Sequence, residues 1–273
     1  MLSLDNFVWH RAVGVVIESL DQDDFWLKLT RVLSDYVHFD SWVALVFTDH
    51  SPPNVLAEMP MDDGLADPLF EDYLNGLYVL DPFFIASREN RKEGLVRLDD
   101  VAPDRFKATE YYQRYFRLNI VEDELQINCL LPNEATLCLS LGSHQRIPPT
   151  ALSLLEILSQ WLIPLLRQRW HFEQIKANTV LSGSRPATKE RVSALVNAKF
   201  NLGNSTLTTR ELEISRLMLS GFSSKGIASR LGIATETVKV HRKHLYSKLG
   251  INSQSELFSL FLRETVSDVG VGE

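Results

Sequence analysis

The sequence has few cysteines and none of the motifs that hold a catalytic nucleophile or a phosphate. Only two of 273 residues are cysteine, Cys129 and Cys138, and both lie in apolar, strand-like runs. They are most simply buried free thiols in a reducing cytoplasm, and without matched histidine spacing they do not predict zinc. We find no G-x-S-x-G motif, no glycine-rich phosphate loop and no acid pair with catalytic spacing. We therefore expect no enzyme, no cofactor and no metal.

Long apolar runs are also missing. No run of 18 or more apolar residues is present, so we expect no membrane span. The N-terminus, MLSLDNFVWHRAVG, lacks a basic region followed by an apolar core, so we expect no secretory signal. A chain of this length suits about two domains. These absences favour a cytoplasmic globular protein.

The stretch from Leu207 to Leu249 predicts three helices joined by tight turns. Thr208 is a good N-cap, and Glu211 three residues later completes a capping box. Two helices joined by a short turn that contains glycine form a helix-turn-helix, whose second helix can enter a major groove. The residues predicted to begin or end the three helices are Thr208, Gly221, Ser223 or Ser224, Gly232, Thr235 and Gly250.

This stretch is basic, whereas the rest of the chain is acidic. It holds eight lysines and arginines and three glutamates, a net charge of +5, on a chain whose formal net charge is −7. A basic module on an acidic chain is typical of a nucleic-acid reader. In the third helix, Lys239, Arg242 and Lys243 lie off the apolar face, so we expect them to point outward.

The same residues resemble the LuxR-type DNA-binding domain of bacterial transcription regulators. The resemblance lies in the LTTRE opening, Gly221, the SSKGIA run, Leu231, the TVKVH run and the KLG ending, and covers about a fifth of the chain. It implies four helices, with residues 253–264 the fourth and often a dimer contact. One such module offers few contacts, so we expect a homodimer on a near-palindromic double-stranded operator. The predicted DNA-binding residues are Lys225, Thr235, Glu236, Thr237, Lys239, His241, Arg242, Lys243 and Lys248.

Three positions depart from the pattern of this family. Gly226 stands where the family usually has glutamate, and Gln254 where arginine is common. Ala234 replaces a Ser or Thr cap, a change that costs about 1 kcal/mol unless Thr235 takes over the cap.

The N-terminal part predicts an α+β domain, an α/β/α sandwich around an antiparallel sheet. Short runs rich in β-formers alternate with turns, and helical patterns lie before and after them. A loop is predicted at Asp81-Pro82. The predicted helices lie within residues 3–37, 69–77 and 150–177, and the predicted strands are 41–49, 55–59, 125–131 and 136–142.

The order of these elements resembles GAF-like and PAS-like sensory domains, in particular the autoinducer-binding type. Two runs carry this resemblance: YVLDPFF, and the later aromatic run from Tyr111 to Phe116 with the acidic residues 122–124 after it. The resemblance implies that an Asp-Pro carboxylate binds a ligand amide and that a tyrosine binds a carbonyl. Leu69 and the run 94–98 stand where that type has tryptophans, so a changed ligand or none is expected. The predicted ligand-binding residues are Trp42, Tyr73, Tyr78, Asp81 and Phe83.

Each of these residues also has a purely structural interpretation. Asp81 could cap its own backbone, and the tyrosines could be core aromatics with locally satisfied hydroxyls. We interpret Tyr111, Tyr112 and Tyr115 as packing residues.

Three segments follow: a sensory domain at 1–177, a linker at 178–205 and a DNA-binding domain at 206–273. The predicted function is a transcriptional regulator whose N-terminal domain senses a small molecule and controls dimeric operator binding. In the alternative, that domain only dimerises or binds a protein partner.

Overall fold

The computed structural model describes residues 7–48, 51–60, 68–120, 122–180 and 207–267. Of the segment predicted as a linker, 178–205, all but the first three residues lie outside this part of the chain. The long helix that precedes the segment ends at Val180.

A five-stranded antiparallel sheet forms the centre of the N-terminal part, with strand order β2-β1-β5-β4-β3. The strands predicted at 125–131 and 136–142 are present as the hairpin of β4 and β5, which pair from Asp123↔Ser143 to Leu130↔Thr136. Asn133 and Glu134 form its turn, with φ of 57° and 59°. The strands are β1 Ser41–Phe47, β2 Asn54–Glu58, β3 Gly94–Arg97, β4 Asp123–Leu130 and β5 Thr136–Ser143.

Helices cover both faces of the sheet, which confirms the predicted α+β sandwich. One face packs against α1, α2 and α7 through alternating strand residues such as Leu125, Ile127 and Cys129. The opposite face packs against α3, α4 and several short helices, with Leu45 and Phe47 among its core residues. The helices of this part are α1 Phe7–Glu18, α2 Phe25–Ser34, α3 Pro68–Asn75, α4 Pro82–Glu89, α5 Leu98–Val101, α6 Arg117–Asn119 and α7 Pro149–Val180.

The segment around Asp81 differs from its prediction. The helix expected to reach Leu77 ends at Asn75, because Gly76 (φ 156°) breaks it before a short 3-10 helix, Leu77–Leu80. Asp81-Pro82, predicted as a loop, begins α4. Proline suits the first position of a helix because its missing N–H has no partner there in any case.

Within α7, the stretch Pro149–Lys176 has the length and the apolar composition of a helix that could cross a membrane. This is weak evidence, since the core helix of a soluble protein passes the same test. Leu155, Leu158, Leu162 and Leu166 of α7 are buried against the sheet, so in this structure its apolar stripe serves the core.

The C-terminal part contains the predicted helices: α8 Thr209–Leu219, α9 Ser224–Leu231, α10 Thr235–Leu249 and α11 Gln254–Ser267. Ser223 caps α9 by accepting a hydrogen bond from the Gly226 N–H at 3.0 Å. Gly232 and Gly250 end α9 and α10 in the left-handed conformation. Ala234 precedes α10 without a side-chain cap, and Thr235 lies inside the helix, so Thr235 does not replace the cap.

The turn after α8 also contacts the N-terminal part. The Arg105 N–H donates to the Gly221 carbonyl at 3.1 Å, and the Ser223 N–H donates to Asp104 Oδ1 at 3.0 Å. Gly221 has φ of 98°, and a Cβ there would lie 2.6 Å from Thr109 Cγ2. Glycine is therefore needed both by the backbone conformation and by the close approach.

The capping box of α8 is tied to the end of α10. Glu211 accepts hydrogen bonds from the Thr208 N–H (2.8 Å) and hydroxyl (2.9 Å), and pairs with Lys248 at 2.7 Å. Burial alone would raise the pKa of Glu211, but Lys248 and Thr208 outweigh it and hold this pKa at about 2. Lys248, predicted as a DNA contact, therefore joins two helices of the fold.

We expect Lys248→Ala to lower the melting temperature, because the buried Glu211 carboxylate loses a charged partner. Lys248 is 40% exposed, so solvent screens the pair and the loss should be about 1 kcal/mol, the upper value for an exposed ion pair. Thermal unfolding at pH 7 measures it, with the exposed Lys243→Ala as the matched control. Equal melting temperatures for the two variants would contradict a structural role for Lys248.

Candidate ligand cavity and DNA interface

A cavity of about 580 Å³ lies between the sheet and the helices that carry Tyr73 and Tyr111. This volume is within the usual range for small-molecule sites, about 300–1,000 Å³. Trp42, Tyr73 and Asp81, three of the five predicted ligand-binding residues, line it. Polar and aromatic residues that also line it are Asp40, Glu58, Phe70, Tyr111, Tyr115, Glu124, Gln126, Ser140 and His144.

Asp81 is buried, and two groups from the chain hold its carboxylate. The Tyr73 hydroxyl donates to Oδ2 at 2.7 Å, and the Phe83 N–H donates to Oδ1 at 2.8 Å. Asp81 is thus the N-cap of α4 and part of the cavity wall at once, so its two interpretations are compatible. Burial raises the pKa of Asp81 to about 6, although Tyr73 and Phe83 act to lower it.

Tyr78 and Phe83, the other two predicted ligand-binding residues, do not line this cavity. Tyr78 is fully buried and packs edge-on against Phe84, with ring centroids 5.0 Å apart, so it supports the cavity wall from behind. Phe83 lines a smaller cavity of about 310 Å³, which Phe222 of the C-terminal part also lines.

Two tyrosines interpreted as packing residues line the large cavity. Tyr115 stacks on Tyr73 with centroids 5.5 Å apart, and Tyr111 lies 5.3 Å from Tyr115. The three rings give the cavity a continuous aromatic wall beside Asp81. The four-residue spacing between Tyr111 and Tyr115 is typical of one helix face and was available in the sequence.

Glu124 of β4 is the charged wall residue that sequence reasoning missed. Its side chain accepts a hydrogen bond from the Ser140 hydroxyl of the neighbouring strand. Burial first, and then the charge of Asp81, raise the pKa of Glu124 to about 8. Strict alternation of polar Glu124, Gln126 and Asn128 with apolar Leu125 and Ile127 was the available signal, because a strand presents alternate residues to opposite faces.

The predicted DNA-binding residues form an open surface along α10. Glu236, Thr237, Lys239 and Lys243 are exposed, as is Lys225 of α9, while Thr235, His241 and Arg242 are half-buried. Lys239 pairs with Glu236 at 2.7 Å. Arg242 donates from Nη1 to the Ser224 hydroxyl at 2.8 Å, which joins the two helices of the motif.

We expect Glu124 to make the free energy of unfolding fall as pH rises from about 4.5 to about 8. The folded state holds this proton more tightly than the unfolded chain, whose carboxyl titrates near 4.5, so each pH unit above that value removes stability. Melting temperatures of the wild type and Glu124→Gln between pH 5 and 8 test this. The melting temperature of Glu124→Gln should fall less steeply with pH than that of the wild type or of the control Glu156→Gln, which changes an exposed residue. Parallel curves for all three proteins would contradict a raised pKa of Glu124.

Comparisons with known proteins agree with this architecture. The family described as "Bacterial regulatory proteins, luxR family" matches residues 205–261. The solved structure of the VqsR LBD domain from Pseudomonas aeruginosa is similar to part of this chain, with 41% sequence identity and a TM-score of 0.57. The match covers 61% of this chain and 99% of the VqsR domain.

Two curated relatives are transcriptional regulators, as predicted for this chain. The regulatory protein MctR of Rhizobium johnstonii is 38% identical over 93 residues. This match covers 34% of the present chain and 44% of MctR, which is less than half of that relative. An HTH-type transcriptional regulator in the exeN 3′ region of Aeromonas salmonicida is 32% identical over 190 residues, 68% of this chain and 95% of the relative. The chain belongs to the luxR family of bacterial regulatory proteins.

Proposed function

We propose that this regulator binds a small molecule in the cavity beside Asp81 and thereby controls its binding, as a dimer, to near-palindromic DNA. One observation carries the proposal: a buried carboxylate and an aromatic wall line a cavity of about 580 Å³ in the same chain as a DNA-binding motif. Apolar cavities with a few convergent polar groups are the usual form of a ligand site. The regulator acts in the cytoplasm, where the DNA is.

The alternative is an N-terminal part that only dimerises or binds a protein. That function needs no cavity, and a sheet face filled by side chains would serve it better, because close packing stabilises a core. The opposite face of the same sheet is filled in this way by α1, α2 and α7. The contrast between the two faces favours ligand binding.

Dimer formation is supported by exposed apolar residues. On α7, Ile157 is 64% exposed and Ile175 is 61% exposed, although Leu155, Leu158 and Leu162 of the same helix are buried. A second chain covering them would remove apolar surface from water. The family resemblance adds α11 as a second contact, which would set the spacing of two α10 helices on two half-sites.

We expect Asp81→Asn to fold and to bind DNA at the basal level, but to lose sensitivity to the inducer. Asparagine is as good an N-cap as aspartate, so α4 should persist, whereas a charge-assisted hydrogen bond to the ligand is weakened. Such a bond contributes about 1.5–3 kcal/mol, so the half-maximal inducer concentration should rise about tenfold or more. Reporter titration beside a melting curve measures both effects.

The matched control is Asp72→Asn, which makes the same chemical change at an exposed position of α3. If Asp81→Asn responds at the wild-type inducer concentration, the ligand does not bind beside Asp81. A variant that unfolds would leave Asp81 with a purely structural role.

We expect Lys239→Ala to weaken binding to all DNA sequences about equally. Its ammonium group is exposed on α10 and pairs with Glu236, which is still more exposed, and salt screens such a pair strongly. Loss of one phosphate contact should flatten the slope of log K against log salt by about 1. Binding isotherms at several salt concentrations measure the slope, with Lys28→Ala of α2 as a control that removes one charge; identical slopes would exclude Lys239 as a phosphate contact.

A further inference from the structure

The charged groups that line the large cavity are almost all acidic. Four carboxyl groups line it, from Asp40, Glu58, Asp81 and Glu124. Among the described residues no lysine or arginine lines it, and His144 contributes the one imidazole. An anionic ligand would be repelled in this cavity, because the low dielectric of a partly buried site strengthens interactions between like charges.

The two buried carboxyl groups retain capacity to accept hydrogen bonds. Glu124 is 8% exposed and Asp81 is 6% exposed. Asp81 accepts hydrogen bonds from the Tyr73 hydroxyl and the Phe83 N–H, and Glu124 accepts one from the Ser140 hydroxyl. Hydrogen bonds from the Phe84 N–H to Asp81 and from the Gln126 side chain to Glu124 also lower the pKa values of these groups. A carboxylate offers about four acceptor positions, so the bonds named here leave positions on both groups for donors of a ligand.

An independent observation comes from Gln126, which follows Glu124 on the same face of β4. Its side chain is 98% buried and lines the cavity. Among the described residues, its Oε1 atom has no hydrogen-bond partner. A buried acceptor without a donor costs free energy, so this atom too calls for a donor in the cavity.

The opposite wall suits a cation. Tyr73, Tyr111, Tyr115 and Phe70 present rings to the same space, and Phe70 stacks on Tyr73 with centroids 5.7 Å apart. Aromatic faces attract organic cations as well as apolar groups. A metal ion is a poorer candidate, since the described residues contain no group of three or more side chains able to hold one.

We propose that the cavity binds an organic cation: a molecule with an ammonium or guanidinium group that donates to Glu124 and Gln126, and an apolar or aromatic body against the tyrosines. This inference rests on the proposed ligand-sensing function and names the class of its ligand. A neutral acceptor ligand would leave Gln126 Oε1 unpaired, whereas a cation beside Glu124 would favour its ionised form and lower its raised pKa.

The test is a thermal-shift screen of the full-length protein against a charge-balanced set of small organic molecules. The set includes matched series that differ in one group: tryptamine, tryptophol and indole-3-acetate; tyramine, tyrosol and 4-hydroxyphenylacetate; octylamine, octanol and octanoate. The amine of a bound series should have a dissociation constant at least about tenfold lower than its alcohol, the size expected for a charge-assisted hydrogen bond. The carboxylate should bind least.

Two variants test whether the preference for the amine over the alcohol comes from Glu124 and Gln126. In Glu124→Gln the amine and the alcohol of a bound series should bind with similar affinity, whereas the control Glu156→Gln should keep the wild-type preference. Gln126→Leu removes the unpaired acceptor without changing a charge, so it should weaken amine binding even if Glu124→Gln fails to fold. An unchanged preference in both variants would overturn the assignment.

The outcomes separate this inference from the proposed function. If neutral or anionic molecules stabilise the protein and cations do not, ligand sensing stands and the cationic ligand is wrong. If no member of the set raises the melting temperature, both the sensing function and the ligand class are contradicted.

Discussion

The buried carboxylate of Asp81 is the constraint on which the N-terminal part depends. Through one oxygen it caps α4 at the Phe83 N–H, and through the other it holds the Tyr73 hydroxyl of α3. Two helices and one wall of the cavity are therefore fixed by a single side chain that is out of water. Burial raises its pKa to about 6, although the hydrogen bonds from Tyr73 and Phe83 act to lower it, because a buried carboxylate loses its hydration. The donor of a bound ligand would complete the compensation for this loss.

The polar face of β4 shows the same compromise between stability and function. A sheet face under helices is normally apolar, yet Glu124 and Gln126 are buried there opposite the tyrosines. Burial raises the pKa of Glu124, and Gln126 Oε1 has no hydrogen-bond partner within the part of the chain that the structure describes. Both features cost stability that apolar residues in these positions would not lose. Strained or poorly satisfied groups concentrate at functional sites because binding supplies what the empty fold lacks.

Sequence reasoning succeeded where local rules decide the structure. The capping box at Thr208, the glycines that end α9 and α10, and the β4–β5 hairpin each follow from a few neighbouring residues. It missed α4, because an Asp-Pro step begins a helix as readily as a loop, and it missed β3 because four residues give little periodicity. Glu124 and Tyr111 join Asp81 only through tertiary packing. The pairing of Lys248 with the buried Glu211, 37 residues away, is likewise not visible in sequence; Lys248 as a DNA contact stays a prediction.

The segment between Asp104 and Phe116 physically joins the cavity to the DNA-binding helices. Tyr111 and Tyr115 line the cavity, while Asp104 and Arg105 contact the turn between α8 and α9. Glu110 accepts a hydrogen bond from Ser255 of α11 at 2.5 Å. The absence of a Cβ at Gly221 permits the close contact with Thr109. A ligand that binds one position of the tyrosines better than another acts on the segment that holds α9 and α11, and such differential affinity is the only way a ligand shifts a conformational equilibrium. Asp104 and Tyr115 are 11 residues apart in the sequence, so a movement at the cavity can reach the DNA-binding helices without passing through the sheet.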